Sequence, residues 1–106
     1  MKFKFFNTKK YFTFGDLNFT MSSYSGGVTS GMHFSNGWGV SVVKTAYSYG
    51  GELGLYELAV FLDNQIHYDN DVAKGDVVGY LTEYQVTELM IQVQDFNPVI
   101  DLSRLL

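Results

Sequence analysis

The chain has 106 residues, of which 46% are apolar and 17% aromatic, and it contains no cysteine. This composition predicts one globular domain and excludes a disulfide scaffold, a thiol nucleophile and cysteine-ligated zinc or iron–sulfur sites. No apolar run approaches the length of a membrane-spanning helix and no basic-then-apolar leader is visible, so we expect a cytosolic protein with no membrane partner.

The net charge of −4 is distributed unevenly along the sequence. Residues 1–50 carry five lysines and one acid, a net charge of +4, whereas residues 51–106 carry ten acids against two bases, a net charge of −8. Binding of nucleic acid requires many clustered cations, so nucleic acid is not expected as a partner. Lysines and aromatic residues alternate only near the N-terminus, where a strand with a buried aromatic face is the favoured interpretation.

An aromatic hairpin is predicted near the N-terminus. Residues 11–14 and 17–20 are strand-like and flank Gly15-Asp16, a pair typical of a two-residue type II′ turn. The Ser- and Gly-rich composition of residues 22–31 then predicts a loop.

A β-meander follows this loop. Asn36-Gly37 favours a type I′ turn between strands at residues 32–35 and 38–47. In the second strand alternate residues are apolar, which places one face of that strand in a core. Gly50-Gly51 then reverses the chain.

The meander continues through a segment that is apolar on both faces. This segment, residues 53–62, is expected to be a central strand, with a buried helix as the alternative. Asp63-Asn64 is a turn-forming pair that leads to a strand at residues 65–69, giving an antiparallel meander of about four strands.

The hydrophobic period changes to that of a helix after Thr82. Apolar residues recur at three- and four-residue steps, and Thr82 with Gln85 forms a capping-box pattern, which predicts a helix over residues 83–96. Asn97-Pro98 ends it. Residues 76–81 fit either a strand or a short helical turn, and the turn is preferred.

The predicted fold class is therefore α+β, an antiparallel β-meander sheet of about four to six strands packed against one C-terminal amphipathic helix. One domain spans residues 1–106. Its segments are an N-terminal hairpin with its loop, the meander, the helical segment and a C-terminal tail, over residues 1–31, 32–69, 76–96 and 97–106.

No motif for metal, cofactor or covalent chemistry is present. His33 and His67 lack further ligands at metal-binding spacing, and the run that begins at Asp69 lacks the glycine and glutamate of a calcium loop. No dinucleotide fingerprint, Walker lysine or Gly-x-Ser-x-Gly elbow occurs. We therefore predict no catalytic residues, no metal site and no cofactor.

Glu57 is the strongest candidate for an enzymatic group. Its apolar neighbours would desolvate the carboxylate if it points inward, but the sequence identifies no second acid and no substrate pocket. An outward-facing Glu57 paired with Lys44 across the meander is the preferred alternative.

The predicted helix carries only negative charges, at Glu83, Glu88 and Asp95. Asp95 lies near the carbonyl end of the helix, where a negative charge costs about 0.3–1 kcal/mol. A helix that accepts this cost is a candidate to present an acidic face to a basic partner. Ordinary solvation of a polar face is the alternative.

Aromatic residues exceed what one small core readily buries, with eight Tyr, nine Phe and one Trp. Tyr and Trp are favoured anchors in protein interfaces. Four of them lie in or beside glycine-rich turns, and we predict that they bind a partner together with the three acids of the helix: Trp38, Tyr47, Tyr49 and Tyr24.

Residues 36–43, 49–60 and 76–90 together resemble small, uncharacterised proteins encoded by tailed bacteriophages. The resemblance implies a phage origin and supplies no catalytic residue set. Small phage proteins of this kind often act as accessory factors during infection.

The resemblance and the aromatic surplus together lead us to expect a non-catalytic protein that binds and modulates a host protein in the host cytoplasm. Self-association into a homo-oligomer is compatible with this expectation. One alternative is a virion structural subunit joined through its Phe-rich first strand and its tail at residues 102–106. Another is a small-nucleotide sponge that uses the turns at Trp38 and at residues 47–51.

Overall fold

The computed structural model describes residues 10–22 and 26–99, and this part of the chain has an α+β fold. Six strands and one α-helix follow one another in chain order: β1 (Thr20–Met21), β2 (Val28–His33), β3 (Trp38–Lys44), β4 (Tyr56–Leu62), β5 (Gln65–Ile66), β6 (Val78–Leu81) and α1 (Glu83–Gln94). The predicted fold class is confirmed.

The six strands form one antiparallel sheet. Strands β1 to β5 pair in sequence order, and β6 pairs with β4. Strand β5 pairs with β4 at Phe61 and Leu62, and β6 pairs with it at Tyr56 and Leu58. Strand β4 is therefore the central strand that its apolar faces predict, and the alternative of a buried helix is wrong.

The core lies between the sheet and α1. In β3 and β4 the register places Val40 opposite Val60 and Val42 opposite Leu58, so these side chains share one face of the sheet. The helix packs buried side chains against this face, namely Val86, Met90 and Val93. Burial of one such side chain stabilises the fold by about 1.5–3 kcal/mol.

The helix begins where the sequence predicts. The Thr82 hydroxyl accepts a hydrogen bond from the Gln85 backbone N–H at 3.2 Å, and Gln85 Oε1 accepts one from the Thr82 backbone N–H at 3.0 Å, which confirms the capping box. The helix ends at Gln94, two residues before the predicted end, and Asp95 is its C-cap.

The predicted N-terminal hairpin is wrong. Residues Phe14–Asp16 form a 3-10 turn, and the Thr13 backbone N–H donates to the Asp16 carboxylate at 2.8 Å. The backbone before this turn forms hydrogen bonds with a side chain of α1 and not with a neighbouring strand. The Gln94 side-chain amide exchanges two hydrogen bonds of 2.9 Å with the N–H and C=O of Phe12. Side chains of α1 thus satisfy the backbone groups that a hairpin would otherwise pair.

The hairpin between β2 and β3 forms around the predicted pair, but its turn type differs. Of the pair Asn36-Gly37, only Gly37 has a positive φ, 93°. Its N–H donates to Phe34 O at 3.1 Å, which gives a type I turn closed by a glycine bulge. The two-residue type I′ turn occurs instead between β4 and β5, where φ is 52° at Asp63 and 64° at Asn64.

Several predicted boundaries are also wrong. Strand β2 begins inside the predicted loop at residues 22–31, because pairing with β3 supplies hydrogen bonds that composition does not reveal. Strand β3 ends at Lys44, since Ser48 Oγ accepts the Thr45 backbone N–H at 2.8 Å and turns the chain. Strand β5 covers only Gln65–Ile66 of the predicted strand at residues 65–69.

The preferred helical turn at residues 76–81 is wrong as well. Val78–Leu81 is strand β6, which pairs with the part of β4 that β5 leaves unpaired. Long-range pairing of backbone groups therefore determines the structure of a segment whose local sequence fits both a strand and a helical turn.

Ser30 gives a direct test of the core. This residue lies on β2, is 4% exposed, and its hydroxyl has no hydrogen-bond partner among the described residues. Because burial of an unpaired hydroxyl is unfavourable, we expect Ser30→Ala to raise the free energy of unfolding by about 1 kcal/mol in urea denaturation.

Ser41→Ala is the matched control, because Ser41 is a half-buried serine on the neighbouring strand β3. This change should leave the free energy of unfolding nearly unaltered. A clear loss of stability in Ser30→Ala would contradict the prediction and would mean that the hydroxyl has a partner.

Candidate functional site

Trp38 lies at the start of β3, where several contacts hold its ring. The indole N–H donates to the Asn97 carbonyl at 3.1 Å. The ring lies nearly perpendicular to those of His67 and Phe96, with both centroid distances at 4.9 Å. The predicted partner-binding tryptophan is therefore half-buried and fixed in place.

Asn36 joins this turn to the end of α1. Its side-chain amide nitrogen lies 2.9 Å from the carbonyl oxygen of Val93 and 3.2 Å from those of Gln94 and Phe96. Its side-chain oxygen accepts the Trp38 backbone N–H at 3.1 Å. A neutral donor thus satisfies the helix carbonyls at an end that lacks a basic residue.

Asp95 has a partner within the chain. The Tyr11 hydroxyl donates to its carboxylate and lies 2.8 Å from both oxygens. This hydrogen bond offsets part of the cost of a negative charge at the C-terminal end of α1. The position of Asp95 at this end of the helix is therefore not by itself evidence for an external basic partner.

The loop after β5 brings two more carboxylates to Trp38. Asn70 Oδ1 accepts the backbone N–H groups of Val72 and Ala73 at 3.0 and 2.7 Å, and Ala73 is buried in the core. These contacts fix the neighbouring Asp69 and Asp71, whose side chains are exposed as expected for an acidic turn.

These elements enclose an open cleft of about 420 Å³, which we call the Trp38 cleft. The described residues that line it are Trp38, Asp69, Asn70, Asp71, Asp95, Phe96 and Asn97. Three carboxylates and no cation occur among them. Lys74 approaches Asp71 at 3.8 Å from outside this lining, as an exposed pair of the kind that contributes little. The Trp38 cleft suits a cationic ligand.

A second cleft, of about 370 Å³, lies at the other end of β3, and we call it the Tyr80 cleft. Its described lining residues are Ala46, Ser48, Tyr49, Gly50, Glu52, Leu53 and Tyr80. Strand β3 has seven residues, so the two clefts are about 20 Å apart along the strand. They are separate sites.

Glu57 anchors the loop that forms the Tyr80 cleft. Its carboxylate accepts the Tyr49 backbone N–H at 2.8 Å, and the strand register places Val43 opposite it. The Lys44 ammonium instead lies over the Tyr56 ring, 4.9 Å from its centroid. The predicted pairing of Glu57 with Lys44 is wrong, because Glu57 and Lys44 lie on opposite faces of the sheet.

Tyr80 is a residue that sequence analysis does not identify. Its φ of 58° is unusual for a bulky side chain, and such a conformation costs about 1–3 kcal/mol. Surrounding contacts hold it there: its N–H donates to the Tyr49 carbonyl at 3.0 Å, and a Cβ at Gly79 would come within 2.3 Å of Tyr49 Cβ. No local sequence signal marks a tyrosine for positive φ.

The structure divides the predicted partner-binding residues among different places. Trp38 and Asp95 meet in the Trp38 cleft. Tyr49 lines the Tyr80 cleft, and the neighbouring Tyr47 is 87% exposed. Tyr24 lies outside the described residues.

The predicted acidic face of α1 is only partly continuous. Glu88 and Asp95 are seven residues apart and so share one side of the helix, whereas Glu83 is displaced from them by about 140° around the axis. Glu83 and Glu88 are exposed, and neither lines one of the two clefts.

Within residues 10–22 and 26–99, no group of three or more His, Asp or Glu residues is placed to hold one metal ion. No helix in that same part of the chain has the length and hydropathy needed to span a bilayer.

Comparison with protein-family models, curated proteins and solved structures finds no significant match to this chain.

The cap at Asn36 generates a prediction about stability. Asn36→Ala removes the donor for three carbonyls and the acceptor for Trp38 N–H, so we expect a loss of about 1–3 kcal/mol in the free energy of unfolding. Asn36→Asp should destabilise at least as much, because it places a negative charge at the carbonyl end of α1.

Urea denaturation monitored through the single tryptophan measures both variants. Asn18→Ala, a change at an exposed asparagine, is the control and should resemble the unaltered protein. Wild-type stability in both Asn36 variants would show that the cap is dispensable.

Proposed function

We propose that this domain is a non-catalytic bacteriophage accessory protein that binds and modulates a host protein in the host cytoplasm. Binding takes place at the Trp38 cleft, which receives a basic side chain of the host protein. The phage origin rests on the sequence resemblance of residues 36–43, 49–60 and 76–90.

The charge distribution of the chain supports a basic partner. The net charge is −4, and residues 51–106, which supply all three carboxylates of the Trp38 cleft, carry −8. Opposite charges on two proteins accelerate their encounter and disfavour wrong partners. An acidic domain of this kind is complementary to a basic host surface.

The observation that carries the proposal is the half-exposed Trp38 ring beside three carboxylates. Tryptophan is enriched among the residues that dominate binding energy in protein interfaces. Its ring offers apolar area and a favourable face for a cation, while the carboxylates offer charge-assisted hydrogen bonds. Lysine and arginine side chains combine the apolar stem and cationic head that match this surface.

The same chemistry disfavours the nucleotide sponge. Phosphates require cations or clustered backbone N–H donors, whereas carboxylates line both clefts and no cation does among their described residues. A phosphate in either cleft would be repelled by Glu52 or by the aspartates.

Capture from host lysate tests the proposal with variants that remove charge and leave the fold intact. The full chain carrying Asp69→Asn and Asp71→Asn loses two exposed carboxylates of the Trp38 cleft. We expect the unaltered protein to retain a basic host protein in stoichiometric amount and the variant to retain about tenfold less, measured by quantitative mass spectrometry.

The matched control carries Asp63→Asn and Asp76→Asn, which remove two exposed carboxylates that do not line the cleft. This control should capture as much as the unaltered protein. Equal capture by the cleft variant, or an equal loss in both variants, would overturn the assignment to the Trp38 cleft. The absence of any specific host protein would overturn the accessory function.

A third variant, Glu83→Gln with Glu88→Gln, tests the predicted acidic helix face. Neither residue lines the Trp38 cleft, so we expect this variant to capture the same host protein in undiminished amount. A selective loss here would place the interface on α1 instead.

A further inference from the structure

The conformation of Tyr80 has a consequence for the surface of the protein. An isolated bulky residue in the left-handed region persists only where its surroundings hold it, and such residues concentrate at binding and active sites. Tyr80 is held by the hydrogen bond from its N–H to the Tyr49 carbonyl and by close packing of Gly79 on Tyr49. Tyr80 lies in a β-bulge, where Gly79 and Tyr80 together oppose the single residue Glu57 of β4, and it is 59% exposed, so the bulge directs this side chain to the surface.

Tyr80 is part of a larger exposed apolar surface. It lines the Tyr80 cleft with Tyr49 and with Leu53, which is 73% exposed. Hydrogen bonds hold the loop behind this surface. The Glu57 carboxylate accepts the Tyr49 N–H, and the Gly50 carbonyl accepts the N–H groups of Leu53 and Leu55. A fixed aromatic surface loses little conformational freedom on binding.

The charge of the Tyr80 cleft selects its ligand. Glu52 is the one charged residue among the described residues that line it. A carboxylate beside two tyrosine rings matches an arginine guanidinium, which stacks on aromatic faces and donates paired hydrogen bonds to carboxylates. Lysine matches less well, because its ammonium is compact, strongly hydrated and unable to stack.

We propose that the Tyr80 cleft binds an arginine side chain presented by a partner polypeptide, with Glu52 as its counter-charge and Tyr49 and Tyr80 as its aromatic contacts. This site is independent of the Trp38 cleft, at the other end of β3. The strain at Tyr80 serves to present the ring to the ligand.

The test uses the full chain labelled with ¹⁵N and an acetylated, amidated Gly-Arg-Gly tripeptide as the probe. In an NMR titration we expect saturable shifts at the backbone amides of Tyr49, Glu52, Leu53 and Tyr80. The same tripeptide with citrulline in place of arginine keeps the shape and loses the charge, and it should bind about tenfold more weakly.

Two variants test the assigned roles. Glu52→Gln removes only the charge and should weaken binding of the arginine tripeptide by about tenfold. Tyr80→Gly removes the ring and relieves the backbone strain, so it should abolish saturable binding while the thermal midpoint stays equal or rises. Tyr84→Ala, which removes an exposed tyrosine outside the cleft, is the control and should bind as the unaltered protein does.

Three results would overturn the proposal: equal binding of the citrulline tripeptide, no saturable shift at the four amides, or unaltered binding by Glu52→Gln. Unaltered binding by Tyr80→Gly would show that the strained backbone at Tyr80 does not serve to present its ring to the ligand. If Tyr80→Gly fails to fold, Glu52→Gln decides. Backbone amides of the Trp38 cleft give their own shifts in the same titration, and host binding is tested by capture. A failure of the Tyr80 cleft to bind arginine is therefore distinguishable from a failure of the proposed function.

Discussion

The structure depends on the packing of α1 against β3 and β4. Val86, Met90 and Val93 on the helix and the alternating valines and leucine of the two strands are almost completely removed from water. This contact fixes the direction of the helix along the sheet, and so it fixes what lies at each end. The start of β3 meets the end of the helix at the Trp38 cleft, and the end of β3 meets the loop of the Tyr80 cleft.

The end of the helix illustrates how fold and candidate site are joined. Where the helix stops, the Val93 carbonyl accepts the Phe96 N–H, and Asn36 supplies a further donor to the carbonyls of Val93, Gln94 and Phe96 from the neighbouring hairpin turn. The same turn places Trp38 against Phe96, and Tyr11 holds Asp95 beside them. The contacts that cap the end of the helix therefore also bring Trp38, Phe96 and Asp95 together in one cleft.

Much of the fold could be predicted because its signals are local and periodic. Two-residue periodicity identifies β3, apolar residues on both faces indicate β4 as a central strand, three- and four-residue periodicity identifies α1, and the capping box marks its start at Thr82. The two largest failures share one physical cause, namely hydrogen bonds between residues distant in sequence. The Gln94 side chain forms hydrogen bonds with the backbone of Phe12, which therefore does not pair in a hairpin. Residues Val78–Leu81 pair with β4 and so form a strand of the sheet.

The candidate sites were less predictable for the same reason. Trp38 and Asp95 are each identifiable as unusual residues, but nothing in the sequence indicates that they meet, since they are brought together by tertiary packing. Tyr80 carries no local signal, because its positive φ belongs to a bulge in the pairing of β6 with β4. Of the residues predicted to bind a partner, Trp38 and Asp95 line one cleft and Tyr49 lines the other.

The most direct test of this account is the salt dependence of the affinity between the full chain and its captured host protein. Electrostatic attraction between exposed charges is screened by salt, with a Debye length of about 8 Å at physiological ionic strength. If the Trp38 cleft receives a basic side chain, the dissociation constant rises steeply with sodium chloride for the unaltered protein and less steeply when Asp69 and Asp71 are asparagine. A dissociation constant that does not change with salt, or equal slopes in the two proteins, would contradict the account.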